Sequence, residues 1–425
     1  MFSNKIILLL VLISYCNGQY FIPNNHFSDM KQVFSWNQIG YNFDGVKYVK
    51  DEPLQKIVGG IFFAEEREER EEDERFFIQY NNIPIGFEVF HDKVFITVPR
   101  RRYGIPSTLN YVDLKSSKSS SPLLKPYPDA ESTNNFVSVY RPRVDACERL
   151  WMVDTGLLEV PNNFLQIRPP HIVVYDLKTN KEVLRYEIPA DVLVNGTTSG
   201  LTSITVDVTP STCDDAHAYI NDLARNGLIV FSMKKRDCWR FSHPSFVYDV
   251  GATDFVVAHQ TINWHDGIFS IALSDPDSTG RRTAYYHPLV STQEFSVSNE
   301  VLKDKSANFE TGFKLEGVRG AFSQSGSHDF HSATQTLLYA NVAQDAVMCW
   351  NTRTPLTSKN SVPVAQSHSK LVYISDLKVI GDDVWVLVNQ IPTFIYSQFN
   401  ITEPNFFVHK GKVRDLIKGT ACDKK

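Results

Sequence analysis

The triplet Asp154-Thr155-Gly156, which ends the stretch CERLWMVDTG, is the nucleophile signature of aspartic proteases. Those enzymes need two carboxylates that share one proton, because like charges about 3 Å apart cannot both ionise. One chain must then supply two such loops. The nearest second candidate, DSTG at 277–280, has an extra residue and sits among Asp and Arg, as a turn does. Protease chemistry is therefore rejected. HDFH, at 328–331, offers two imidazoles, but on a strand His328 and His331 point to opposite faces. No carboxylate or third ligand is placed with them, so no metal site is expected. DPDSTG, at 275–280, lacks the 12-residue spacing and terminal Glu of a calcium loop and reads as a β-turn. No Gly-rich phosphate loop, Gly-x-Ser-x-Gly elbow or Cys/His pair stands out, and no cofactor is expected.

The elements around Asp154 give it a different meaning. KVFITVPR, RLWMVDTG, HAYINDLA, TAYYHPLV, LLYANVAQ and DVWVLVNQ share one pattern. Each has an apolar or small residue, then an aromatic, then further apolar positions, then a polar group. The aromatics are Phe95, Trp151, Tyr219, Tyr285, Tyr339 and Trp385, at spacings of 56, 68, 66, 54 and 46 residues. Each is preceded by a strand-like run and a turn, and helical periodicity is almost absent. Six such repeats predict an all-β six-bladed β-propeller, with a sandwich or barrel as the alternative. Asp154 then stands where a blade's second strand ends. Its equivalents are Thr97, Asn221 with Asp222, His287, Asn341 and Asn389. Converging on one mouth of a central channel, they would form a polar ring fit to bind a ligand.

Residues 1–18 read as a signal peptide: Lys5, an apolar run over 6–13, and Cys16-Asn17-Gly18 as the cleavage site. The run is too short to span a bilayer, which takes ~20 apolar residues. A secreted protein beginning at Gln19 is expected, with no membrane span. Residues 19–78 form an N-terminal extension that carries the acidic run EEREEREEDE (65–74), read as a solvated, helix-prone surface. Residues 79–425 form the propeller. A net charge of −5 gives no reason to expect nucleic acid as partner. Five cysteines remain after cleavage, an odd number with no CxxC pair. Asn195 and Asn400 lie in N-glycosylation sequons.

CERLWMVDTG, AYINDL, STQEFSVSNEVL, VMCWNT and the closing GTAC resemble the insect yellow / major royal jelly protein family from about Gln79 to Cys422. VPRRRYGIPSTLNYVDL and VDTGLLEVPNNFLQIRPP are most similar to its yellow-f branch. The resemblance implies a six-bladed propeller, in agreement with the repeat count. It also implies two disulfides, Cys147–Cys213 and Cys349–Cys422, which leaves Cys238 as the odd thiol, buried and inert or exposed and reactive. For function it implies dopachrome conversion in melanin formation, giving 5,6-dihydroxyindole with loss of the carboxyl group. Other relatives bind biogenic amines in the channel without chemistry, or serve as food proteins. A carrier of catechols or indoleamines and a structural or nutrient protein are therefore the rival readings.

Dopachrome rearrangement needs a flat pocket, a cation near the carboxylate, and groups that move protons. Under that reading His287 is the first candidate for proton transfer, since an imidazole titrates near working pH. Asp266 of WHDGIF would orient an imidazole or act as a base. Arg319 of GVRGAFSQS would fork onto the substrate carboxylate. Asp154, Asn221, Asp222, Asn341 and Asp376 would line the channel. The bland alternative is the same for all of them: turn caps and hydrogen bonds that hold adjacent blades together.

Overall fold

The structure, a computed structural model, describes residues 29–51, 75–118, 120–158, 160, 164–194 and 198–424. The expected signal peptide, the acidic run and Asn195 lie outside these residues. Among the described residues no helix is long and apolar enough to cross a membrane.

Six antiparallel sheets of four strands make a six-bladed β-propeller. The first strands, nearest the axis, are Gly86–Phe90, Arg143–Val144, Leu201–Asp207, Ile268–Leu273, Ser325–His331 and Ile374–Ile380. The second strands are Lys93–Thr97, Arg149–Asp154, His217–Asp222, Thr283–Pro288, Thr336–Asn341 and Asp383–Val388. Each of the six repeat aromatics falls on one of these second strands, and all six are buried. A second strand has neighbouring blades on both faces. It therefore reads as a continuous apolar run rather than an alternation, and Arg149–Asp154 and Thr336–Asn341 are buried at every position.

The chain enters the propeller before residue 79. Lys31–Trp36 pairs antiparallel with Phe406–Lys412 and becomes the outermost strand of the sixth blade, so one sheet joins the two ends of the ring. A single six-residue strand, more than 40 residues ahead of the first repeat, carries too short a pattern to be recognised as the closing element. Trp36 anchors it: the side chain is fully buried, and its indole Nε1 donates to the Pro122 carbonyl of the first blade at 2.7 Å.

Both expected disulfides are present. Cys147–Cys213 ties the second blade to the third, and Cys349–Cys422 ties the C-terminal tail to the fifth. Cys238 is buried, and burial pushes its thiol up to about 12, so it carries almost no thiolate at neutral pH. The axis is not an open pore. Arg143 of the second blade reaches Asp329 of the fifth at 2.7 Å, and both side chains are largely buried.

Replacement of Trp36 by Ala is expected to cost about 3–5 kcal/mol, because it opens a cavity and orphans a buried carbonyl. Urea unfolding measures this. A loss under about 1 kcal/mol, the level of an ordinary surface change, would show that the strand does not close the ring.

Candidate active site

The strand-end polar residues are where the repeat put them, but they do not face a ligand. Thr97, Asp154, Asn221, Asp222, His287, Asn341, Asp376 and Asn389 are all fully buried. Four of them donate to a carbonyl of the next blade or the segment leading into it. Thr97 Oγ1 bonds Tyr140, and Asn221 Nδ2 bonds Ile268 at 3.0 Å. His287 Nε2 bonds Gly326 at 2.8 Å, and Asn389 Nδ2 bonds Pro84 at 2.9 Å. The rest hold turns and neighbouring segments. Asp154 accepts from the Val137, Ser138 and Gly156 amides. Gly156 has φ +64°, and the Arg168 carbonyl occupies the place of a Cβ, so the Asp-Thr-Gly turn is a structural lock. Asp222 accepts from Gly200 N and pairs with Arg240 at 2.9 Å. Asn341 bonds Phe322, Ala343 and Gln344. Asp376 accepts from Phe87 N at 3.1 Å.

His287 and Arg319 meet, but at Glu294, in a sealed cluster rather than on a cavity. His287 Nδ1 lies 2.9 Å from Glu294 Oε2, and Arg319 Nη1 lies 2.6 Å from the same oxygen. Arg319 spends its other donors on the carbonyls of Gln293, Ser291 and Ser323. A carbonyl only accepts, so His287 Nε2 carries a hydrogen. A proton must also lie between Nδ1 and the carboxylate. Burial opposes charge on the ring, while the Glu294 carboxylate beside it favours keeping the proton. Burial likewise opposes ionisation of Glu294, but the His287 and His328 rings outweigh it and hold the carboxyl well below the usual range. His328 joins through Nε2, 3.3 Å from Glu294 Oε1, and through Ser270 Oγ at 2.6 Å. His287, Glu294 and His328 thus gather donor atoms within 4.8 Å. Arg319, however, already neutralises the carboxylate, and a divalent cation beside a guanidinium in a buried site would add uncompensated charge. His331 turns away to Thr334 and Asp382.

Asp266 lies elsewhere, on a cavity of about 680 Å³ at the end of the propeller where first strands begin and second strands finish. The walls come from connections between and within blades. Asp266 sits in the connection from the third blade to the fourth. Its main chain is fixed by the Val290 amide, while its carboxyl oxygens have no hydrogen-bond partner among the described residues. Enclosure raises its pKa to about 6, with Arg101, Arg141 and His265 pulling the other way. The side chain is only half-buried, and what remains exposed faces the cavity.

Around Asp266 stand two phenols, aromatic walls and guanidinium groups. Tyr140 and Tyr373 are buried, yet among the described residues neither hydroxyl has a hydrogen-bond partner. Burial pushes both phenols up, so both remain protonated donors. Tyr373 is held at φ +52°, an uncommon conformation for a bulky residue and one that tends to mark functional positions. Trp264 packs edge-on against its ring at 5.8 Å and donates to Tyr396 Oη at 2.8 Å. Arg141 lies over the Phe269 ring at 4.5 Å, with Nε bonded to the Ser375 carbonyl at 2.9 Å. Arg101 bonds the Val160 carbonyl through Nε at 3.3 Å. The sequence offered these residues in YRPR, RRRYG and LVYISD, but only their fold position separates them from loop scaffolding. Of the other expected positions, Asn400 is exposed, its Oδ1 engaged by Thr402.

Residues 137–422 match the family model described as major royal jelly protein. The chain is 39% identical over 406 residues to L-dopachrome tautomerase yellow-f of Drosophila melanogaster, covering 93% of this chain and 94% of that protein. It is 33% identical over 366 residues to a dopaminechrome tautomerase of the same species, covering 82% and 78%. It is also 33% identical over 434 residues to protein yellow of Drosophila yakuba, covering 100% and 75%.

Glu294→Gln tests the structural role of the sealed cluster. The substitution leaves the Arg319 cation buried without its counter-charge, and a loss of about 3–5 kcal/mol is expected in denaturant unfolding. Unchanged stability would show that the cluster does not support the fold.

Proposed function

The chain belongs to the major royal jelly protein family, and from that premise we propose that it is a tautomerase acting on an aminochrome of the dopachrome type. The observation that carries the reading is Asp266: a carboxyl without a hydrogen-bond partner among the described residues, facing a cavity of substrate size, with a pKa of about 6. Ligand cavities run to roughly 300–1,000 Å³, and this one is walled by rings that suit a flat bicyclic molecule.

Tautomerisation moves protons from saturated ring carbons to the two quinone oxygens and leaves an aromatic indole. Asp266, ionised above about pH 6, takes a proton from the methylene carbon. The electron pair of that C–H bond flows through the ring towards the quinone oxygens, where charge develops. The Tyr140 and Tyr373 hydroxyls supply hydrogen-bond donors in a low-dielectric site, where such bonds are strongest. The next step completes the aromatic ring in one of two ways. Loss of carbon dioxide from the adjacent carbon, with a proton from water on the second oxygen, gives 5,6-dihydroxyindole; loss of the proton on that carbon instead, passed to the second oxygen, gives its 2-carboxylate. Asp266 serves the first step of both. A secreted protein of melanin formation, glycosylated at Asn195 and Asn400, completes this reading; two disulfides suit an oxidising compartment.

The carrier reading has one observation in its favour, since an aspartate on the cavity could face an amine. Against it stand the guanidinium groups of Arg101, Arg141 and Arg225 on the same cavity, which outnumber that carboxylate and repel a cationic ligand.

With purified protein and fresh L-dopachrome, kcat/KM is expected to rise with pH through about 6, as Asp266 loses its proton. Asp266→Asn should lower kcat by about 100-fold or more and abolish that rise. Chromatography of the product separates the two second steps. Wild-type acceleration that Asp266→Asn leaves intact would remove Asp266 from the mechanism. Absence of acceleration together with tight dopamine binding would make the protein a carrier.

A further inference from the structure

The cavity holds more positive charge than the proposed chemistry uses, and its three guanidinium groups are not equally available. Arg141 spends Nε and Nη1 on the Ser375 and Thr202 carbonyls and lays its plane on Phe269. Arg225 is exposed and bonds the Thr198 carbonyl, so solvent screens it. Arg101 is half-buried and commits only Nε, leaving both terminal nitrogens without a hydrogen-bond partner among the described residues. Its neighbours in the RRR run are spoken for. Arg100 donates to the carbonyls of Ile105, Phe136, Val137, Pro106 and Thr133, and Arg102 stacks on Phe394 at 3.9 Å.

We infer that Arg101 is the specificity-determining residue of this cavity: its free guanidinium fork takes the substrate's carboxylate and makes the site prefer carboxylated aminochromes over their decarboxylated counterparts. The inference rests on the reading of the cavity as an aminochrome site. The two terminal nitrogens match the two oxygens of a carboxylate, which gives direction as well as attraction. Arg101 is also near enough to Asp266, Tyr140 and Tyr373 for its charge to be felt at all three. A carboxylate held there lies beside the proton-transfer group, where Asp266 alone would repel it. Removing Arg101 therefore removes the attraction and leaves the repulsion, so the preference should collapse rather than merely weaken.

Two ratios test this in wild type, Arg101→Gln and Arg101→Lys. The first is kcat/KM for dopachrome over dopaminechrome, which carries no carboxylate. The second is equilibrium affinity for indole-2-carboxylate over indole, which needs no turnover. Both ratios should exceed one in wild type, fall about tenfold or more in Arg101→Gln, and be partly restored in Arg101→Lys, which keeps the charge without the fork. If wild type turns over neither aminochrome, the catalytic reading fails while the affinity ratio still judges Arg101. An affinity ratio unchanged in Arg101→Gln overturns the inference, as does a wild type that binds indole as well as its carboxylate.

Discussion

A propeller made of separate sheets must stitch every seam between blades, and here polar side chains at strand ends do much of the stitching. Thr97, Asn221, His287 and Asn389 each lie within one residue of the end of a second strand, and each donates to a carbonyl at or just before the start of the next blade. These carbonyls are buried, so an unmade bond would cost the desolvation of the group, not just the modest net worth of a hydrogen bond. The seams therefore consume the polar ring that the repeat displays. What is left for chemistry must come from residues the seams do not need.

Those residues come from the connections. The Tyr140–Arg141 segment, the 264–266 segment and the 373–375 segment all lead into first strands, and Arg101 lies in the loop after a second strand. Their backbones are tied down in turn: the Thr97 seam bond holds the Tyr140 carbonyl, and within the fourth blade the Val290 amide holds that of Asp266. A rigid scaffold can thus present side chains that are themselves unsatisfied. The Arg143–Asp329 pair crosses the axis below these connections, and burial at their level keeps the Asp266 carboxyl's pKa raised.

This division explains what the sequence could and could not disclose. Six aromatics at repeating positions were legible because each sits on the most buried strand of a blade, where burial dictates residue type. The positions of Asp154, Asn221 and His287 at strand ends were equally legible. Their partners were not, since an Asn at the end of a strand looks the same whether it faces a ligand or the next blade's carbonyl. Glu294 shows the difficulty well. It lies seven residues from His287 and 25 from Arg319, yet only strand pairing makes it the hub that binds both. Asp266, Tyr140, Tyr373 and Arg101 are more than 270 residues apart at the extremes, and no local pattern brings them to one cavity.

A sealed cluster of His287, Glu294 and Arg319 thus lies apart from the open cavity that Asp266 faces, the proposed site of the chemistry. A crystal structure with bound 5,6-dihydroxyindole-2-carboxylate tests that separation most directly. The ring should lie in the cavity beside Asp266, with its carboxylate on Arg101 and its catechol oxygens within reach of the Tyr140 or Tyr373 hydroxyl. A ligand seated instead against His287 and Arg319, or outside the cavity altogether, would contradict the account.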